Sequence, residues 1–208
     1  MLILVGDTRS RMMLEVIKRQ GFGRMMVDRM LSPLPIDGEL WGFDNGAFGW
    51  WVRGESFNED IYAQRLQAAL GLGKPYMAIV PDIVAGGMES LEYSLGWVAR
   101  LPRKWPWYFA VQDGMEESEV AKVLYMFDGI FLGGSDKFKA TAYRWSCIAH
   151  EQGKRFHYGR AGTLRKLQAA YNVDSDSCDS AFPLWTMERM VRFCGFNNDM
   201  RNQLSLVG

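Results

Sequence analysis

The chain has 208 residues, 48% of them apolar, which is enough for one buried core and short for two. Lys plus Arg and Asp plus Glu number 24 each, so no global field draws the protein onto nucleic acid or an anionic membrane, and any such contact has to be local. The opening apolar run Met1 to Val5 stops at Gly6-Asp7, later runs break far short of bilayer-spanning length, and Cys147, Cys178 and Cys194 form no CxxC pair. A soluble, cytoplasmic protein with reduced thiols, no metal site and no cofactor is expected.

Short β-like runs alternate with helical stretches along the whole chain. The first strand, Leu2–Val5, ends at Gly6-Asp7-Thr8, and Gly21 stands where a helix C-cap belongs. Ser32–Gly38, with Pro33 and Pro35, reads as a loop over one end of the molecule. The strand Leu40–Phe43 ends at Asp44-Asn45-Gly46. Ser56 and Glu59 form a capping box for a helix with Tyr62, Leu66, Ala69 and Leu70 on its apolar face, closed by Gly71. Next come the strand Met77–Val80, ending at Pro81-Asp82, and a helix bearing Leu91, Leu95 and Val98. The strand Trp107–Val111 ends at Gln112-Asp113-Gly114 and precedes a helix with Val120, Val123, Leu124 and Phe127. Gly129–Leu132 runs into Gly133-Gly134-Ser135, Gly153 caps a helix, and Arg155–Tyr158 runs into Gly159-Arg160. A last strand is placed at roughly Val173–Cys178, and the tail from Asn197 carries no readable signal.

These units imply a parallel sheet covered by helices, with no composition break to mark a second domain. A single compact (β/α) TIM-like barrel of seven or eight parallel strands over residues 1–208 is expected, near the lower limit of about 200 residues for that fold. A doubly wound open sheet is the alternative.

In either architecture functional groups gather at the C-terminal ends of the strands. Those ends carry Asp7, Asp44, Asp82, Asp113 and the stretch Asp176 to Ser180. Any one of these aspartates alone reads as an Asx turn or cap. A set converging on one crevice is costly without a chemical use. Glycosyl transfer uses such equipment: one carboxylate attacks or stabilises the anomeric carbon while a second group handles the proton of the leaving group.

The same strand ends resemble the tRNA-guanine transglycosylase family, in the family's order. Phe43-Asp44-Asn45-Gly46-Ala47-Phe48 resembles its Asp-Ser-Gly-Gly-aromatic motif, and Val111-Gln112-Asp113-Gly114 its Val-Gln-Gly-Gly. Val80-Pro81-Asp82, Leu132-Gly133-Gly134-Ser135, Tyr158-Gly159-Arg160-Ala161-Gly162-Thr163 and Asp176-Ser177-Cys178-Asp179-Ser180 resemble four further stretches, so that the likeness spans residues 40–183. The resemblance implies Asp179 as nucleophile or stabiliser and Asp44 as acid/base. It implies Asp82 and Gln112 as readers of the base edge, Gly133 and Gly134 as backbone lining of the pocket, and Phe48 and Tyr158 as stacking faces.

Arg160, Lys137 and Lys139 are the candidate phosphate contacts, and Trp50 or Trp51 could stack on nucleic acid. Trp107 reads as core, His157 as a structural residue or an aid to proton transfer, and Arg100, Arg103 and Lys104 as a solvated cluster at the opposite end. The family's zinc segment of three cysteines and a histidine has no counterpart here, which points away from tRNA. The resulting expectation is a DNA glycosylase that excises a modified base, such as glucosylated hydroxymethylcytosine of phage DNA, in antiviral defence. The alternatives are exchange of guanine for a 7-deazaguanine, a carbohydrate hydrolase, and a non-catalytic binder of a nucleotide or modified base.

Overall fold

A computed structural model describes residues 1–26 and 38–205. Eight parallel strands close into a barrel in simple sequence order. They are β1 Leu2–Gly6, β2 Gly23–Met26, β3 Trp41–Phe43, β4 Met77–Ile79, β5 Trp107–Val111, β6 Gly129–Leu132, β7 Arg155–Tyr158 and β8 Ser177–Ser180. The ring closes where β8 pairs with β1, Leu2 opposite Ser177 and Leu4 opposite Asp179. The helices are α1 Arg11–Arg19, α2 Ala47–Val52, α3 Glu59–Ala69, α4 Met88–Trp97, α5 Glu117–Val123, α6 Asp136–Lys139, α7 Ala142–Glu151, α8 Leu164–Asn172 and α9 Met187–Ser205. The fold is thus a TIM-like barrel in one α/β domain, not an open sheet. Among the described residues no helix is long and apolar enough to cross a membrane.

Side chains of a strand alternate between its two faces, and here the faces build two cores. Leu4, Met25, Met77, Ile79, Tyr108 and Ala110 fill the barrel interior together with Leu2 and Phe131. Their outward neighbours, among them Ile3, Met26, Phe43, Ala78, Phe109, Ile130 and Phe156, pack against the helices. Aromatic residues dominate one sector of that outer layer: Phe43 and Trp41 both meet Trp105 edge-on, and Tyr62 of α3 meets Trp97 of α4 at 5.3 Å. Trp107 is 6% exposed and belongs to this core, as its sequence context indicates. Each such side chain contributes roughly 1.5–3 kcal/mol by burial.

β2 carries no recognisable strand signal in the sequence. Its four residues include Gly23, whose missing Cβ makes room for Leu4 and the Leu40 carbonyl, and Arg24, only 1% exposed. Arg24 is neutralised by Glu39 at 2.5 Å and by Asp7 at 3.1 Å. A glycine and a buried arginine mask an otherwise short strand. The last strand lies later than expected: Val173 caps α8, Asp174 turns with φ 54°, and pairing begins only at Ser177. The N-cap of α3 is Asn58, whose side chain accepts from the Ile61 amide, and not the Ser56–Glu59 box. Gly71 lies inside a short 3-10 turn, and the left-handed residue is Gly73 with φ 88°. Gly21 and Gly153, both with φ 65°, follow α1 and α7 as expected. Most of the Ser32–Gly38 loop lies outside the described residues.

Candidate active site

The C-terminal ends of the strands surround a pocket of about 340 Å³. Ile79, Ala110 and Phe131 rise from the barrel interior as its apolar floor. Asp44, Asn45, Asp82, Gln112 and Asp179 supply the polar groups, and Gly133, Gly134, Phe48 and Arg160 line its mouth. Concave apolar walls with a few placed polar groups are the ordinary form of a small-ligand site.

Asp179 lies on β8 opposite Leu4, in the alternation that turns it inward. Its Oδ1 receives the Arg160 amide at 2.9 Å and lies 3.0 Å from His157 Nε2. Burial opposes ionisation, but the His157 hydrogen bond and the charges around it hold the carboxyl below the ordinary range. His157 is fully buried, stacked on Phe131 at 5.1 Å, and its Nδ1 lies 2.8 Å from Ser177 Oγ. With Nε2–H assigned as donor to Asp179, Nδ1 accepts from the Ser177 hydroxyl. Ser177, His157 and Asp179 thus form one inward-facing chain of polar contacts between β7 and β8.

The second group of carboxylates comes from β3 and β4. Gly46 takes φ 79° after Asp44, whose side chain accepts the Gly46 amide at 2.7 Å in an Asx turn. Asn45 is buried and donates to both the Val80 carbonyl and Asp82 Oδ1, at 2.8 and 2.7 Å. Burial pushes Asp82 up to about 6; the Asn45 hydrogen bond opposes this, and the neighbouring Asp44 charge adds to it. One pocket therefore holds a carboxylate kept ionised and a carboxyl that keeps its proton into the mildly acidic range. Environments that separate two carboxyl groups in this way suit acid/base chemistry.

Gln112 lines the pocket with its amide engaged in the protein. Its Nε2 donates to the Ile83 carbonyl and Ser90 Oγ at 2.8 and 2.9 Å, and its Oε1 accepts from the Ala85 amide at 2.6 Å. It ties the loop after β4, with Ala85 at φ 61°, to the end of β5. Arg160, itself at φ 53°, reaches over the mouth: its guanidinium donates to the Gly134 carbonyl at 2.7 Å and lies 4.2 Å from the Phe48 ring centre. Gly159 before it has no room for a Cβ, which would sit 2.5 Å from Phe131 Cζ.

Several expected site residues lie elsewhere. Tyr158 is buried on the helix side of β7 and takes no part in the pocket lining, since strand alternation sends His157 inward and Tyr158 outward. Lys139 is 6% exposed, donates to the Gly159 carbonyl and lies 5.0 Å from the Tyr158 ring centre, with burial lowering it to about 7. It is a buried strut and not a phosphate contact. Lys137, by contrast, is exposed on α6 at the rim, where it is expected. Asp113 turns away to accept from the amide and hydroxyl of Ser135, both at 2.6 Å. Asp7 pairs with Arg24, and Asp176 precedes β8 at the opposite end, where it accepts from the Phe156 amide. Arg100, expected as part of a solvated cluster, is solvent-exposed, over Trp97 and paired with Glu59.

Arg65, which the sequence reading passes over, supports the site from behind. It projects from α3, 9% exposed, and donates to the carbonyls of Asp44 and Asn45 at 3.1 and 3.2 Å. Its position between Tyr62 and Ala69 on the apolar face of α3 is the signal that marks it.

Among the described residues no three His, Cys, Asp or Glu side chains are placed to share a metal ion. The sequence matches no protein-family model and no curated protein.

Proposed function

We propose that this protein is a nucleic-acid N-glycosidase that takes an extruded base into the barrel mouth and releases it. The observation that carries the reading is the pairing, in one pocket with an apolar floor, of an ionised Asp179 with a proton-holding Asp82. As the glycosidic bond breaks, its electron pair leaves with the base. Asp179 stabilises or captures the cationic anomeric carbon, and the Asp82 carboxyl delivers its proton to the departing base. Water then takes the sugar carbon and returns a proton to Asp82, leaving an abasic site. In this scheme Asp44 acts through its charge, which keeps the proton on Asp82, and Gln112 acts by fixing the loop that carries Asp82.

Support for a nucleic acid comes from the rim. Phe48 and Trp51, 41% and 51% exposed, stack on each other at 5.7 Å beside Arg160. Arg53 lies over Trp50, and beyond β8 the exposed Trp185 carries Arg189 at 4.5 Å. Exposed rings interleaved with guanidinium groups serve bases and phosphates together. A modified base in DNA, such as glucosylated hydroxymethylcytosine in phage DNA, is the proposed substrate, and antiviral defence the proposed role.

The deciding experiment incubates the protein with unmodified and hypermodified phage DNA and assays free base, abasic sites and incorporation of a labelled free base. Abasic sites with free modified base are expected. Incorporation would replace hydrolysis by base exchange, and binding without release would replace catalysis by sensing.

A further inference from the structure

The opposite end of the barrel holds a second cavity, of about 410 Å³, where β4 to β7 begin. Its lining includes Lys74, Tyr76, Tyr108, Asp128, Lys154 and Arg155. Nothing in the proposed base release uses this end.

Tyr108 is the second residue of β5 and packs in the barrel interior with Met77 and Phe131. It is fully buried, yet among the described residues its hydroxyl has no well-directed hydrogen-bond partner. Arg155 lies close enough to affect its ionisation without completing a hydrogen bond of good geometry. Burial holds the phenol protonated, so it stays a donor. A buried hydroxyl left unmatched costs about 1–3 kcal/mol, and such groups are rare in folded proteins without a reason.

The surrounding groups give the reason a direction. Arg155 lies over the Tyr76 ring at 5.1 Å, which orients its guanidinium at the cavity wall. Lys154 Nζ is anchored on the Phe127 carbonyl at 2.6 Å and reaches the Tyr125 carbonyl at 3.4 Å, leaving one of an ammonium's three donors. Lys74 adds a third cation. Among the described residues the acid of the lining is Asp128, one oxygen of which is taken by the Trp107 amide at 2.9 Å; Asp176, whose charge also reaches Tyr108 and Arg155, has an oxygen held by the Phe156 amide and His150. Three cations and a phenol against these two engaged carboxylates form a donor-rich cup for an oxyanion. The Tyr76 ring supplies a face for an organic group, and the volume exceeds what a bare anion fills.

We propose that this cavity binds a phosphate monoester, with the oxyanion on Arg155 and the two lysines, the buried Tyr108 hydroxyl turning up to donate to it, and the organic part against Tyr76. The proposal is independent of base release and is tested without DNA. Phenyl phosphate, inorganic phosphate and phenol are titrated into the full chain by calorimetry and by thermal melting. Wild type is expected to bind phenyl phosphate saturably, inorganic phosphate more weakly and phenol not at all. Tyr108→Phe is expected to melt no lower than wild type without ligand, because only a loosely directed contact with Arg155 is lost, and to weaken phenyl phosphate binding about tenfold or more. Arg155→Met is expected to weaken it at least as much. The proposal is overturned by absence of saturable binding into the millimolar range, by equal binding of phenol, by affinity retained in both variants, or by a ligand-free melting temperature that falls in Tyr108→Phe.

Discussion

His157 Nε2 lies 3.0 Å from Asp179 Oδ1, the oxygen that also takes the Arg160 amide. Both donors act on one oxygen, and among the described residues none reaches the other, which is left to act on a substrate. Asp179→Asn keeps the shape and removes the charge. Base release is expected to fall by about a thousandfold or more, as when a nucleophile is deleted. The assay is the abasic-site yield from hypermodified DNA, at a temperature where variant and wild type are equally folded. Full activity in the variant would end the assignment of Asp179.

His157→Gln tests the support of that carboxylate. Burial alone would raise Asp179, and the His157 hydrogen bond leads the effects that lower it. Without the imidazole the Asp179 pKa should climb, and the acid limb of kcat/KM against pH should move upward. A lower rate with an unmoved limb would mean that His157 serves only packing.

Asp82 makes a paired prediction for activity and stability. Its pKa is raised from 3.8 to about 6 by burial, so the native state keeps a proton that the unfolded chain has released. Stability contributed by this group is therefore full below pH about 4 and is lost as pH rises toward about 6, by an amount on the order of 3 kcal/mol at most. Asp82→Asn retains an oxygen for Asn45 and removes the titration. In urea unfolding the variant should match wild type near pH 4 and exceed it at pH 8, while base release collapses at both. In wild type, activity should fall as pH rises through about 6. A variant that loses stability at pH 8 would show that the Asp82 charge is tolerated in the native state.

The alternation of strands and helices and the glycine-punctuated strand ends made the barrel readable, because those signals are local. β2 stayed hidden because Gly23 and Arg24 are explained only by distant partners, Leu4, Glu39 and Asp7. The set of aspartates was readable as a set, but their individual roles depend on strand parity and loop direction. One residue of register separates the inward His157 from the outward Tyr158, and Asp113 turns to Ser135 while Asp82 stays in the pocket. Lys139 has the sequence of a rim lysine, and its burial depends on a distant partner, the Gly159 carbonyl that its ammonium reaches.

Arg65 ties the stability of the site to a helix outside it. Arg65→Met keeps the side-chain length over Phe43 and leaves the carbonyls of Asp44 and Asn45 without their guanidinium donor. A loss of about 2–4 kcal/mol in denaturant unfolding is expected from two buried acceptors. Base release should fall further than stability predicts, because the Asp44–Asn45 turn positions Asp82. Equal KM and kcat in a folded variant would confine Arg65 to packing elsewhere.

The rim separates stacking from charge. Phe48→Ala removes the ring that faces the pocket and leaves Trp51 in place, so it should raise KM for modified DNA by about 10–100-fold, the range of one base–aromatic stack. Arg160→Gln keeps the backbone amide that holds Asp179 and removes the guanidinium beside Phe48. Its main effect should be a salt slope of DNA binding shallower by about one unit, since one phosphate contact is lost. The chain as a whole carries no net charge, so the wild-type slope itself reads the rim. If both variants bind DNA as wild type does over a salt series, the nucleic acid does not cross this face and the proposed DNA substrate is ruled out.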